Sequence, residues 1–221
     1  MDSNIAEFLR KHRVDGSVHS HVSMSHPKGK YQLDRKHLEG FWTMYCSNLY
    51  TKREKFIVGI AEKPQQYLPV LVDADLKVRN ETNLSDNIYT WKHIEGTVSV
   101  YQSVLRKLVA DIEDHHLWCV VLEKPSYTVV QGGNSYMKNG FHLHFPNIFL
   151  NKLDQEMQLL PSIKKEIDAC KIFDDIHFKA DDVIDSAYLK NPWLLYGSKK
   201  ERDSKEAYKI SCIIDENGDK C

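Results

Sequence analysis

Three stretches of this chain carry side chains able to do chemistry, and two of them do so on alternate residues. In "YLPVLVDADLKV" (Tyr67 to Val78) an extended strand would point successive side chains to opposite faces. Val70, Val72, Ala74, Leu76 and Val78 then share an apolar face, and Leu71, Asp73, Asp75 and Lys77 share the other. Two carboxylates two residues apart on a rigid strand offer hard oxygen ligands suited to Mg²⁺ or Mn²⁺. The same spacing also describes an antiparallel strand with one wet face. In "KNGFHLHFP", Phe141, Leu143 and Phe145 alternate with His142 and His144. Paired histidines suit phosphate contact, proton transfer or metal binding, and equally a plain polar strand face. The third stretch, "VIDSAYLKNPWLLYGSKK", sets Asp185 after an apolar pair and closes on Gly197, Ser198, Lys199 and Lys200. Backbone N–H groups around Gly197 and Ser198, with Lys199 or Lys200, could hold a polyphosphate; a solvated basic turn is the competing reading. No GxxxxGK[ST] loop occurs, which excludes a P-loop ATPase within this sequence.

The elements that must position these groups follow from periodicity. Ile5 to His12 reads as a short helix, and Leu38, Phe41, Trp42, Tyr45 and Leu49 fall at helical spacing. "KFIVGIAEKP" reads as a strand. Val98, Tyr101, Leu105, Leu108, Val109 and Ile112 form one face of an amphipathic helix. "LWCVVLEKPSYTVVQ" gives two short strands, "QGGNSYMKNG" a loop, and "FHLHFP" a strand. "LDQEMQLLPSIKKEIDACKIF" is helical, with Pro161 marking a break or a new start. The remainder reads as short strands. Helices interspersed with strands predict an α/β or α+β domain whose functional groups cluster on one sheet face.

The 221 residues suffice for one large domain or two small lobes, with ordinary apolar (42%) and charged (28%) fractions. No apolar run approaches a membrane span, and the N-terminus lacks a secretory signal. Five scattered cysteines without CxxC spacing predict reduced thiols in an intracellular protein. His115, His116 and Cys119 in "HHLWC" offer a partial zinc set with no second ligand pair. A net charge of −1 argues against a protein that simply coats nucleic acid, while leaving room for local basic patches.

Taken in order, "VDADL", "GFH" (Gly140, Phe141, His142) and "VID" (ending at Asp185) resemble the signature of the archaeo-eukaryotic primase superfamily: an Asp-x-Asp/Glu strand, a small-x-His strand and a later apolar-Asp. More narrowly, "HSHVSMSHPKGKYQL", "EKPQQYLPVLVDADLKV", "KNGFHLHFPN" and "WLLYGSKK" are similar to the primase domain of helicase–primases of nucleocytoplasmic large DNA viruses, over about residues 18 to 205. The resemblance implies the primase catalytic fold, with mixed and antiparallel sheets, flanking helices, and an RRM-like catalytic lobe beside an N-terminal lobe. The expected organisation is a single catalytic domain over 1–221, with N-terminal lobe elements in 1–65 and the core in 66–215. It also implies a DNA primase or primase–polymerase catalysing template-directed nucleotidyl transfer in viral DNA replication. Asp73, Asp75 and Asp185 would hold two Mg²⁺ or Mn²⁺ ions. His142, Ser198, Lys199 and Lys200 would meet the incoming nucleotide. Leu194 departs from relatives that carry an arginine there. Expected partners are a single-stranded DNA template, nucleoside triphosphates and a helicase module in a longer protein, of which this chain reads as the N-terminal piece. The expected location is a viral replication site inside the host cell. Lys28, Lys30, Lys52, Arg53 and Lys55 are candidates for template phosphates.

Other functions fit parts of the pattern. A HUH-type nicking endonuclease would use "HLH" and Tyr196 as nucleophile, but leaves the three aspartates without a role. A metal-dependent glycosyltransferase also places Asp-x-Asp after an apolar strand, without a use for the histidine strand. A non-catalytic single-strand-binding module would need aromatics interleaved with a basic groove.

Overall fold

The apolar faces close onto two separate cores. The computed structural model describes residues 4–51, 59–79, 87–199 and 206–221. The chain divides into two units, Met1–Pro64 with Lys190–Ala207 and Gln65–Leu189 with Tyr208–Cys221. It opens with α1 (Asn4–Lys11), β1 (Arg13–Val14), β2 (His21–Ser23), β3 (Gly29–Tyr31), α2 (Arg35–Thr51) and β4 (Ile60–Glu62). Next come β5 (Tyr67–Arg79), α3 (Trp91–Leu108), β6 (Cys119–Glu123), β7 (Tyr127–Gln131) and β8 (Asn134–Asn151). The chain continues through α4 (Lys152–Asp154), a π-helical turn at Gln155–Leu159 and α5 (Leu160–Ala169). It then forms α6 (Ala180–Val183), β9 (Ile184–Asp185), β10 (Trp193–Leu194) and β11 (Lys209–Ile214). This is a mixed α/β architecture with antiparallel sheets and flanking helices.

In the first unit, the described strands pair antiparallel in the order β1-β3-β2-β4-β10. Phe41 and Tyr45, one helical turn apart on α2, join Ile5 and Leu9 of α1 over Tyr31, Leu33, Ile60 and Leu195. The second unit holds the longer sheet, β11-β6-β8-β5-β9, with β7 paired to the free length of β8. Val70, Val72, Ala74 and Leu76 of β5 and Phe141, Leu143 and Phe145 of β8 are all fully buried. Each large side chain hidden this way is worth about 1.5–3 kcal/mol. Ile94, Val98, Tyr101 and Leu105 of α3 and Ile163 and Ile167 of α5 are buried with them, the Tyr101 ring stacking on Phe145.

Two local features set the register of the central pair. Pro69 cannot donate to the ladder, and the β5/β8 pairing shifts between Pro69 and Val70, where a bulge absorbs the missing donor. Beyond the bulge the ladder runs unbroken from Val70↔Phe145 to Arg79↔Tyr136. The expected loop "QGGNSYMKNG" is mostly strand. Only Gly132 and Gly133, at φ 58° and 78°, form the turn, and β8 starts at Asn134. Two glycines in the left-handed region make the tight hairpin, so the polar residues after them are free to pair. Pro161 marks a new start: it occupies the first turn of α5, directly after the π-helical turn.

Candidate active site

Asp73, Asp75 and Lys77 point from β5 to the face opposite the helices. Antiparallel pairing sets His142 of β8 directly opposite Asp73 on one side and Asp185 of β9 opposite it on the other. Two carboxylates facing each other across a strand pair repel. His142 compensates one of them: its Nε2 lies 3.2 Å from Asp73 Oδ1. Burial alone would raise the Asp73 carboxyl. The hydrogen bond and charge of His142, followed by the charges of Lys124 and Lys138, outweigh it and hold the group below the usual aspartate range. Asp185 is exposed, and its Oδ1 accepts the Ala187 N–H at 2.7 Å, which orients the carboxylate in a tight local turn.

Asp75 faces Gly140. A Cβ at Gly140 would sit 2.1 Å from the Ala74 carbonyl oxygen, so the strands can approach this closely only because that position has no side chain. The Gly140 carbonyl in turn accepts the Tyr89 hydroxyl at 3.2 Å. Lys138, two residues along β8, donates to Asp75 Oδ2. Desolvation opposes the charge on Lys138, but the hydrogen bond and charge of Asp75 prevail and raise its pKa. Tyr208, just before β11, stacks on His142 with ring centroids 3.5 Å apart, and Lys124 Nζ lies 4.4 Å from the Tyr208 ring centre. Burial, followed by the nearby charges of Asp73 and Asp75, pushes the Tyr208 phenol far up. His144, further along β8 opposite Leu71, is held neutral by burial with a pKa of about 4.

The remaining expected site residues lie in the other unit. Ser198 is buried there, its Oγ 2.9 Å from the Tyr45 hydroxyl and accepting the Ile60 N–H at 3.1 Å. The Tyr45 hydroxyl also donates to the Tyr196 carbonyl at 2.7 Å. Gly197 takes φ 79°, and a Cβ there would strike Leu49 at 2.4 Å. The turn is thus held by Tyr45 and Ser198, whereas the Tyr196 ring is 44% exposed. Lys199 is half-buried. Lys200 lies outside the described residues, as do Lys52, Arg53 and Lys55; Lys28 and Lys30 are described, on and beside β3. In the "HHLWC" stretch the Cys119 thiol is buried and its pKa raised by that burial, and the His116 Nδ1 accepts the Glu113 N–H at 3.0 Å. Among the described residues no three His, Cys, Asp or Glu side chains gather as a ready-made metal cage.

The family described as "C962R protein N-terminal AEP domain" matches residues 20–214. The chain belongs to this archaeo-eukaryotic primase family. It is 34% identical over 211 residues to a helicase-named protein of Invertebrate iridescent virus 3, covering 90% of this chain and 22% of that protein. A helicase-named protein of Invertebrate iridescent virus 6 is 35% identical over 214 residues, with the same coverage. One from Acanthamoeba polyphaga mimivirus is 25% identical over 215 residues, 94% of this chain and 21% of its own length. The chain therefore spans about a fifth of the length of these curated relatives.

Asp73 and Asp75 supply hard oxygen ligands from one strand face, and Asp185 adds a third opposite Asp73. The chemistry fits Mg²⁺ or Mn²⁺. His142 Nε2 contacts Asp73, and the Lys138 ammonium pairs with Asp75. Three residues of the site carry no signal in the sequence motifs. Lys138 shares the parity of His142 and His144, but only once β8 is extended through the expected loop. Lys124 and Tyr208 join through the return of β11 onto β6, a long-range pairing with no local signature. No helix among the described residues is long and apolar enough to cross a membrane.

Proposed function

We propose that this chain is the primer-synthesising domain of a viral helicase–primase, catalysing template-directed nucleotidyl transfer with Mg²⁺ or Mn²⁺. The observation that carries this reading is the single row Asp185–Asp73–His142 across β9, β5 and β8, with Asp75 beside it. Asp73, Asp75 and Asp185 would hold the cations, which lower the pKa of an attacking 3′-hydroxyl and offset the charge of the leaving pyrophosphate. The sheet fixes the carboxylates beforehand, so little reorganisation accompanies binding. His142 and Lys138, which contact these carboxylates, are the groups placed to meet triphosphate oxygens. Tyr208 holds the His142 ring in place for that contact. Ser198 holds, with Tyr45, the backbone turn that precedes Lys199. The partners are a single-stranded DNA template, nucleoside triphosphates and a helicase module in a longer protein acting where the viral genome is copied.

The test is to incubate the chain with an unprimed single-stranded template, divalent metal and labelled nucleotides, and to look for short products. Wild type should make them, and Asp73→Asn or Asp185→Asn should not, with melting temperatures that report an intact fold. Absence of products from wild type with both metals, or near wild-type incorporation by Asp73→Asn, overturns the reading. A nicking enzyme would instead lose all activity in Tyr196→Phe, tolerate Asp185→Asn, and leave a covalent protein–DNA adduct.

A further inference from the structure

Of the three carboxylates, Asp185 has the least support from the sheet. Its strand, β9, is two residues long, ends the sheet and pairs with β5 at Asp73↔Asp185 and Ala74↔Ile184. Like charges directly opposite each other push a strand pair apart. His142 contacts Asp73 from β8, on the other side of β5 from β9. The Ala187 N–H that Asp185 accepts belongs to its own segment, so it turns the carboxylate without tying β9 to the sheet. Asp185 therefore depends on what precedes it. The chain enters β9 directly from α6, a helix of four residues, too short to be stable alone. Two side chains one turn apart on α5 grip its start. Asp168 Oδ1 accepts the Ala180 N–H at 2.9 Å, a first-turn donor that finds no partner within a helix. Lys164 Nζ pairs with Asp181 Oδ1 at 2.8 Å, but the Asp181 side chain is 85% exposed, and pairs of that kind contribute little. The Asp168 bond is the stronger one, because its acceptor is charged and the residue it holds, Ala180, is fully buried. Ile163 and Ile167 bury α5 in the core, and Val183 and Ile184, each 1% exposed, carry the constraint from α6 to Asp185.

Resting on the primase reading, we infer that Asp168 is a positioning residue for the metal site: by capping α6 it holds β9, and with it Asp185, opposite Asp73 before a divalent cation arrives. Asp168 touches neither cation nor substrate. It acts through the Ala180 backbone, on the side of the sheet that the helices cover. Without this bond the repulsion between Asp73 and Asp185 favours a β9 that has moved off β5. A cation then meets the complete set of carboxylates in only a fraction of the molecules, and its apparent affinity falls by that fraction. The acceptor oxygen carries the role and the negative charge does not, so an amide of the same shape replaces it.

The test is a Mn²⁺ titration without nucleotide, read from the EPR signal of the free ion. Asp168→Ala should weaken uptake about tenfold, the result of β9 being in place in about one molecule in ten. Asp168→Asn keeps the acceptor oxygen and should bind about as wild type does. If the melting curve shows the alanine variant unfolded, Asp168→Ser, with its shorter side chain, stands in for it. A double-mutant cycle separates positioning from general weakening of the fold. In an Asp185→Asn background β9 has no carboxylate left to place, so Asp168→Ala should change uptake by less than about twofold. A general weakening would cost about tenfold there too. The inference is overturned if Asp168→Ala binds Mn²⁺ as wild type does, or if Asp168→Asn weakens uptake as much as alanine. It is equally overturned if alanine costs as much again in the Asp185→Asn background, or if wild type takes up no Mn²⁺. Uptake in the expected pattern by a chain that makes no product refutes the primase reading and leaves Asp168 its role. Product from wild type, with Mn²⁺ binding unchanged in Asp168→Ala, does the reverse.

Discussion

Replacing one glycine by alanine at two places in this chain should have opposite effects, set by what the added Cβ would meet and by helix propensity. At Gly140 the added methyl would lie 2.1 Å from the Ala74 carbonyl oxygen and 3.2 Å from the Asp75 Cα, all of it backbone of the neighbouring strand. No side chain can rotate away, so β5 and β8 must separate at the point where Asp75 leaves the sheet. Overpacking of this kind costs about 3 kcal/mol, which for a chain of this size lowers Tm by roughly 6–12 °C. At Gly40, within α2, an added Cβ meets nothing within 4 Å. Alanine there gains about 1 kcal/mol of helix propensity and should raise Tm by roughly 2–4 °C. Scanning calorimetry of the two variants, with nucleotide incorporation measured well below either Tm, separates the effects. Gly140→Ala should lose most incorporation even while folded, because Asp75 is displaced, and Gly40→Ala should keep it. A Gly140→Ala protein that melts with wild type refutes the close approach of β5 to β8. One that is destabilised but fully active refutes the claim that this approach places Asp75.

Three further outcomes follow. Tyr45→Phe removes one hydroxyl that serves both the Tyr196 carbonyl and Ser198; the groups left without it should cost about 1–3 kcal/mol, and a urea midpoint equal to wild type would contradict the turn described. Tyr208→Phe keeps the stack on His142 and should retain nucleotide KM, whereas Tyr208→Ala should raise KM about tenfold with a smaller change in kcat; equal kcat loss in both variants would point to the hydroxyl instead of the ring. His21 and His144 are each held by burial at a pKa of about 4, below the ordinary value of 6.5. The unfolded chain therefore binds more protons between these values, so their contribution is complete above about pH 6.5 and disappears as pH falls toward 4, by at most about 3 kcal/mol each. His21→Phe, which keeps the ring beside Phe41, should roughly halve the fall in urea midpoint over that window, and an unchanged fall would discount His21.

The parts of the fold that were legible are those in which local pattern and burial coincide. The alternation of Val72 to Leu76 with Asp73 to Lys77, and of Phe141 to Phe145 with His142 and His144, is the alternation of buried and less buried residues in the sheet; Leu71, beside the bulge, is buried as well. The long helix is similar: the face carrying Val98, Tyr101 and Leu105 is the buried one, though α3 stops at Leu108. What stayed hidden depends on partners distant in sequence. Nothing around Ser135 and Met137 announces a strand; the pairing with β5 and β7 makes one. Ser198 and its neighbours read as a phosphate turn because hydroxyl and lysines are adjacent, yet the serine hydroxyl is consumed by Tyr45 and Ile60, residues far away in the chain. Tyr208 reaches His142 only because β11 pairs with β6.

The register itself explains why the motif takes the form it does. Side chains alternate with period two, so a slip of one residue in β9 would place Ile184 opposite Asp73 on the wet face and bury Asp185 among Val183 and the apolar residues of β5. The apolar residue before Asp185 is therefore an anchor: Ile184, opposite Ala74 and 1% exposed, holds the two-residue strand at the one position that presents the carboxylate. The same logic ties the small residue to the histidine in "GFH". Phe141, fully buried opposite Ala74, fixes β8; two neighbours of opposite parity to it, Gly140 and His142, then fall opposite Asp75 and Asp73. Of these, the one with no side chain keeps the strands close at Asp75, and the one with an imidazole supplies the proton donor at Asp73. Spacing in the sequence thus becomes a row across three strands because one buried apolar residue in each, Ile184, Ala74 and Phe141, is locked into the same line of the core.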